Sequence, residues 1–292
     1  MRFEVLLSTA EQAACVPALL PQNAACYLDA QLALTTGLFA LADSCRKETD
    51  APLYLALPRM TRQEPGFPYM QDLETWAGEA PHAGFRGMLV RNFEQLAFLT
   101  ETGYGGEVVL DYSVYVWNGA AFALLREQCA SLAGFTLSPE MSLAQWKHLL
   151  RAYEGDDRVC VPVYGFLPLM VSAGCVLEND PAASCSGARG EAKVCTTSLT
   201  DRTARRMQVT CHCRYCYNVI WNAHRLSLHE AIGELAALTD ADNVRLRMDF
   251  TLESVREAAA VYRAFTAPAA GGEDVPLPYT EYTTGRLKKG VE

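Results

Sequence analysis

Seven of the eleven cysteines of this 292-residue chain fall between Cys160 and Cys216, on a segment interrupted by glycine, serine and asparagine. Thiolates bunched this way suit tetrahedral zinc or an iron–sulfur cubane. The tightest pair is Cys213-Arg-Tyr-Cys216, which offers two sulfurs from a single turn at little entropic cost. Cys175 and Cys185 would complete a set of four, while Cys211, two residues before Cys213, leaves the register of the run open. Cys195 lies in an alternating, strand-like stretch where burial accounts for it. Cys15, Cys26, Cys45 and Cys129 sit singly among apolar neighbours, as small buried hydrophobes do. His212 and His224 could replace a thiolate, although a hydrogen-bonded surface imidazole is the plainer reading of each.

Other chemistries find little support. There is no Gly-x-Ser-x-Gly elbow, no His-Glu-x-x-His, no phosphate loop and no dinucleotide fingerprint, so a protease mechanism has no motif behind it. A balance of 34 acidic against 25 basic residues, net −9, argues against gripping nucleic acid by bulk charge. Local basic patches remain, at Arg202, Arg205, Arg206 and Arg214 and at Arg286, Lys288 and Lys289. No run of eighteen apolar residues is available to span a membrane, and the start Met1-Arg-Phe-Glu-Val lacks the layout of a signal peptide. The expectation is a cytoplasmic chain with no membrane partner, where structural disulfides are disfavoured.

The elements that must hold these cysteines alternate regularly. Apolar, β-prone runs begin at Phe3–Leu7 and recur at 25–29, 53–57, 85–90, 107–111, 134–138, 159–164 and 244–250, with helical patterns at 9–20, 70–78, 93–102, 120–131, 143–153, 228–238 and 252–265. Eight such units predict a (β/α)8, TIM-barrel-like α/β fold over residues 1–266, with a doubly wound sheet as the alternative. A cysteine-rich insertion, 167–227, follows the seventh strand and contains a hairpin over 194–209. A Pro/Gly linker and basic tail occupy 267–292. In a barrel the strand C-termini converge on the functional face. They present Asp29, Arg59, Arg91, Asn92, Asp111, Tyr112, Glu140, Tyr164 and Asp249. Asp111 and Asp249 are the candidates for acid–base work; Arg59, Arg91 and Arg247 for anionic groups of a substrate; Asn92 and Glu140 for further substrate contacts.

Four stretches in order, Tyr164-Gly-Phe-Leu-Pro-Leu-Met-Val-Ser-Ala-Gly-Cys175, Cys213-Arg-Tyr-Cys-Tyr-Asn218, Arg247-Met-Asp-Phe-Thr-Leu-Glu253 and Thr284-Gly-Arg-Leu-Lys-Lys-Gly-Val291, resemble the peptidase U32, or collagenase-like, family. The likeness is closest to its long branch, which includes the 23S ribosomal RNA 5-hydroxycytidine synthase, and weaker echoes occur at 111–118 and 137–140. The resemblance implies a [4Fe–4S] cluster on Cys175, Cys185, Cys213 and Cys216, with Cys211 spare; zinc is the alternative that four thiolates by themselves allow. It also implies O2-independent hydroxylation of an RNA base, with prephenate as the source of the hydroxyl group, or of a related small-molecule acceptor. Two positions depart from the family pattern: Arg286 stands where family tails often carry histidine, and Tyr164-Gly165 replaces the common His-Gly. Long-branch members carry further domains, so the resemblance extends to a short relative, a part of a larger protein, or an accessory subunit with a structural metal whose protein partner supplies the rest. The peptidase of the family name is the remaining reading.

Overall fold

Seven parallel strands follow one another in space as they do in sequence: β1 (Phe3–Leu7), β2 (Cys26–Asp29), β3 (Leu53–Ala56), β4 (Gly87–Val90), β5 (Glu107–Leu110), β6 (Leu132–Thr136) and β7 (Arg158–Gly165). An excursion then contributes β8 (Pro168–Ser172), β9 (Val194–Thr200), β10 (Arg206–His212), β11 (Tyr217–Trp221) and β12 (Arg225–Ser227) before the chain returns as β13 (Val244–Phe250). β13 pairs in parallel with β7 on one side and β1 on the other, which closes an eight-stranded (β/α)8 barrel. A short β14 (Tyr282–Thr283) lies beside β12. The computed structural model describes residues 2–21, 24–64, 66–177, 190–236, 243–269 and 275–289; Cys185 lies outside them.

The crossovers are α1 (Ala10–Cys15), α2 (Ala30–Thr36), α3 (Leu38–Arg46), α4 (Tyr69–Glu79), α5 (Phe93–Glu101), α6 (Gly119–Gln128), α7 (Leu143–Ala152), α8 (Ile232–Ala236) and α9 (Val255–Ala269). Their starts are written in the sequence as side-chain caps. Thr9 and Ser142 each close a capping box, and Asn92 and Asn118 accept the third amide of the helices they open. The pair α2–α3 was not among the helices expected from periodicity; Gly37, at φ +79°, breaks residues 30–46 into two helices. None of the described helices is long and apolar enough to cross a membrane.

Alternation along the strands sorts two cores. Val5, Leu28, Leu55, Met88, Leu110, Phe135, Val161 and Leu246 face the helices. Leu6, Ala25, Tyr27, Tyr54, Ala56, Leu89 and Val109 form a separate cluster inside the barrel. Space there is tight where β4, β5, β6 and β7 meet. A Cβ at Gly87 would lie 2.0 Å from the Glu107 carbonyl oxygen, and one at Gly134 2.4 Å from that of Arg158. Below this apolar belt, Glu4 is buried and accepts from the Tyr27 hydroxyl at 2.9 Å and the Cys160 thiol at 3.2 Å, so Cys160 is part of the barrel filling.

Strands β8, β11, β10 and β9 make a second, antiparallel sheet in that order. The expected hairpin over 194–209 is its β9–β10 half; β8 and β11, brought together from either side of the cysteine segment, are its other half.

Candidate active site

The second sheet sits against the C-terminal mouth of the barrel, and the Cys213–Cys216 turn between β10 and β11 is what fastens it there. Arg214 donates twice to Asp72 of α4, at 2.9 and 2.7 Å, and the Tyr215 hydroxyl adds a third bond at 2.8 Å. Tyr215 is fully buried edge-on against Tyr69. Arg214, counted above in a basic patch, is therefore committed to the fold. Arg62 Nη1 reaches the carbonyls of Cys216, at 2.8 Å, and Ala173, at 3.4 Å, while Asn218 donates to the carbonyl of Gly174. These bonds, with the Ser172–Asn218 register, bring the Cys175 end of β8 to the Cys216 end of β11. Cys216 takes a left-handed conformation, φ +51°, which lets the turn close within four residues.

Gly190 donates to the Cys213 carbonyl, and Cys213 to that of Lys193, so the described chain re-enters at the same turn. Cys175, Cys213 and Cys216 thus lie at one end of one sheet, and their donor type suits a thiolate-bound metal or cluster. Among the described residues no three His, Cys, Asp or Glu side chains converge tightly enough to hold a metal ion. Cys185 lies outside the described residues, and its place in the set rests on the sequence. Cys211 is buried, opposite Cys195 in the β9–β10 register.

Between mouth and sheet lies a cavity of about 380 Å3. Its apolar walls include Leu32, Val219, Trp221 and Leu252, and its polar lining includes Arg59, Arg91, Asp29, Lys193, His212 and Thr251. Two of these groups retain hydrogen-bonding capacity among the described residues. The Arg59 guanidinium rests over the rings of Tyr112 and Trp221, at 5.4 and 5.6 Å, and donates to the Tyr112 hydroxyl at 2.9 Å, with no carboxylate in ion-pair contact among the described residues. The Thr251 hydroxyl is buried and has no hydrogen-bond partner among the described residues. His212 and Tyr217, the residues on either side of the Cys213–Cys216 turn, stack at 4.5 Å on the cavity wall. Gln31 binds both, at 2.5 Å to His212 Nδ1 and 3.3 Å to the Tyr217 hydroxyl, and Thr210 Oγ1 is 3.2 Å from His212 Nε2. Burial holds the imidazole well down, at about 4, so it is neutral near pH 7. In place of the surface position expected from sequence, His212 is half-buried where the sheet docks onto α2.

The strand-end ionic residues divide into two groups. Arg59 and Arg91 line the cavity. Asp111, Asp249 and Arg247 are buried beneath it in one network: Arg247 binds Asp111 at 2.6 Å, Asp249 at 2.7 and 3.0 Å, and the Thr136 hydroxyl at 2.9 Å. Arg91 binds Asp111 at 3.1 Å and lies 3.5 Å from Asp29. Burial pushes the Asp111 carboxyl up, but Arg247, Arg91 and Arg59 outweigh it and hold it well below the usual carboxylate range. Neither Asp111 nor Asp249 is in the cavity lining; Asp111 binds Arg91 and Arg247, and Asp249 binds Arg247. Asn92 is the cap of α5, its Oδ1 accepting from Gln95 N at 2.9 Å and the Thr61 hydroxyl at 3.1 Å. Tyr164 turns outward into the helix-side core and donates to Glu253 at 2.8 Å. Glu140 lines a second, more open groove of about 770 Å3, which shares Arg59 with the cavity. Gln31, Lys193, Tyr217, Trp221 and Thr251 were not singled out from sequence. Only two left a signal there: Tyr217 by following Cys216, and Thr251 by continuing the inward alternation of Arg247 and Asp249.

No protein-family model and no curated protein sequence matches the chain. Among solved structures it is similar to the U32 peptidase Mk0906, at 14% identity over 63% of this chain and 72% of that one, with a TM-score of 0.43. The barrel is established by its strand order, independently of that distant likeness.

Proposed function

We propose that this chain is an enzyme of the U32 type that binds a small anionic molecule at its barrel mouth, beneath a redox group held on Cys175, Cys185, Cys213 and Cys216. Its part would be in O2-independent hydroxylation of an RNA base or a related acceptor, with prephenate as the hydroxyl source. One observation carries this reading: His212 and Tyr217, which flank the Cys213–Cys216 turn, line the same cavity as Arg59, Arg91 and the orphan Thr251 hydroxyl. A [4Fe–4S] cluster, when bound, supplies one-electron redox chemistry next to that wall.

The chain's own residues do the rest. Arg59 and Arg91 pair with carboxylates, with Arg91 aimed by Asp111 and Asp29. Thr251 accepts from or donates to a ligand hydroxyl or carboxylate, and Leu32, Val219, Trp221 and Leu252 exclude water around an apolar ring. A volume of about 380 Å3 suits a small acid and excludes a polynucleotide, so an RNA base would have to be presented singly.

Calorimetric titration with prephenate tests the anion site: binding by the wild type and at least tenfold weaker binding by Arg59→Gln are expected. Equal affinity of the two proteins would remove Arg59 from the site. Nucleoside mass spectrometry of RNA from a deletion strain tests the acceptor, and an unchanged modification profile would count against RNA. The peptidase reading has one geometric foothold, the Thr210 hydroxyl beside His212. That hydroxyl also accepts from the Trp221 indole at 3.0 Å, and only gelatin cleavage abolished by Thr210→Val would favour it.

A further inference from the structure

Four of the nine large hydrophobic side chains exposed among the described residues line one groove. Leu169, Met170 and Val171 of β8 are 57%, 55% and 38% exposed, and Tyr115 is 55% exposed across from them. Apolar exposure this concentrated marks an interaction surface. β8 is also an edge strand. Among the described residues it pairs with β11 on one side only, so every second peptide group points away from the sheet. The strand Pro-Leu-Met-Val-Ser carries no charge to guard that edge, and its one register shift, at Ile220/Trp221, leaves Met170 to Ser172 regular. Tyr115 is held in a left-handed conformation, φ +56° and ψ +52°, which is costly for a bulky residue and turns its ring toward the groove lining.

The charges complement this surface. Arg59 and Arg286 line the groove, neither with a carboxylate in ion-pair contact among the described residues, and Lys288 and Lys289 are exposed just beyond. The one carboxylate in the lining, Glu140, accepts from the Tyr115 hydroxyl at 3.3 Å. From these observations we infer that the groove receives an extended polypeptide segment of a partner protein, added antiparallel or parallel to β8, with apolar side chains over Met170 and Tyr115 and a carboxylate directed to Arg286 or Arg59. Strand addition uses the open edge for main-chain bonds and the flanking pockets for specificity. A nucleic-acid strand fits less well: it would want several aromatic platforms and a continuous basic track, whereas this lining is aliphatic with a single exposed ring and the chain carries net −9. The inference uses none of the cysteines; it shares Arg59 with the proposed anion site, and Arg286, which lines the groove alone, tells the two apart.

Selection of random decapeptides displayed on phage against the full-length chain, followed by fluorescence-anisotropy titration of the enriched peptides, tests it. Expected are peptides that alternate apolar residues and carry at least one carboxylate. Their affinity should drop at least tenfold on Met170→Asp and on Arg286→Glu, and amide exchange at residues 170–172 should slow on binding. Both changes are at exposed positions, and circular dichroism checks that each variant is folded. Failure to enrich any peptide, or equal affinity for wild type and both variants, overturns the proposal. So does a ten-nucleotide oligouridine that binds with the same sensitivity to the two variants while no peptide binds.

Discussion

Thr251 and Asp111 show how differently buried polar groups can be employed. The Thr251 hydroxyl makes no hydrogen bond among the described residues, so removing it should cost the fold little and relieve an unsatisfied group. Thr251→Val should leave the urea midpoint unchanged or slightly raised while weakening prephenate binding about tenfold, roughly 1.4 kcal/mol by the usual worth of one hydrogen bond. A fall in stability without a change in affinity would make it a structural hydroxyl. Asp111 is the reverse case. Its carboxylate answers Arg91 and Arg247, and Asp111→Asn should cost about 3–5 kcal/mol in urea unfolding, because it leaves buried guanidinium charge uncompensated. Since its folded pKa lies below the unfolded value of about 3.9, its stabilisation is complete above that pH and is lost as pH falls below it. The wild type should therefore lose its advantage over the Asn variant on acidification below about pH 4. Arg59 and Arg91 were legible in the sequence as cations at strand ends. Thr251 was legible only as the next inward position after Arg247 and Asp249; its lack of a partner among the described residues is defined by the folded surroundings. Asn92 could have been assigned as a cap from Asn-Phe-Glu-Gln alone.

At the scale of elements, the eight barrel strands were readable because continuous apolar runs bounded by turn residues have few other uses. The second sheet was half readable. The alternation Val194-Cys-Thr-Thr-Ser-Leu199 announces a hairpin, but β8 and β11 are about 45 residues apart, and Leu-Pro-Leu-Met-Val has neither alternation nor a turn signal to name its neighbour. Two substitutions test the packing argument. Ala204, at φ +61° in the β9–β10 turn, is strained, and Ala204→Gly should stabilise the hairpin by about 0.5–1 kcal/mol, seen as slower amide exchange at residues 206–208. Gly134→Ala drives a methyl into the Arg158 backbone and should cost at least about 1–3 kcal/mol in thermal or urea unfolding. A neutral result there would mean that β6 and β7 are less closely apposed than the register indicates.

Over the whole molecule, the barrel brings Arg59 and Arg91 to the mouth, and the second sheet docks the turn that carries Cys213 and Cys216 onto α4 beside it. The docking of Arg214 and Tyr215 onto Asp72 holds the two in register. Iron, acid-labile sulfide and zinc content of protein purified without oxygen, with its visible spectrum, tests this most directly. Expected are about four iron and four sulfide per chain, the composition of the proposed cluster, with a sharp loss in Cys213→Ser and in Cys216→Ser and near-full content in Cys195→Ser and Cys211→Ser. Zinc alone in the wild type, or iron that survives both Cys213→Ser and Cys216→Ser, would contradict it.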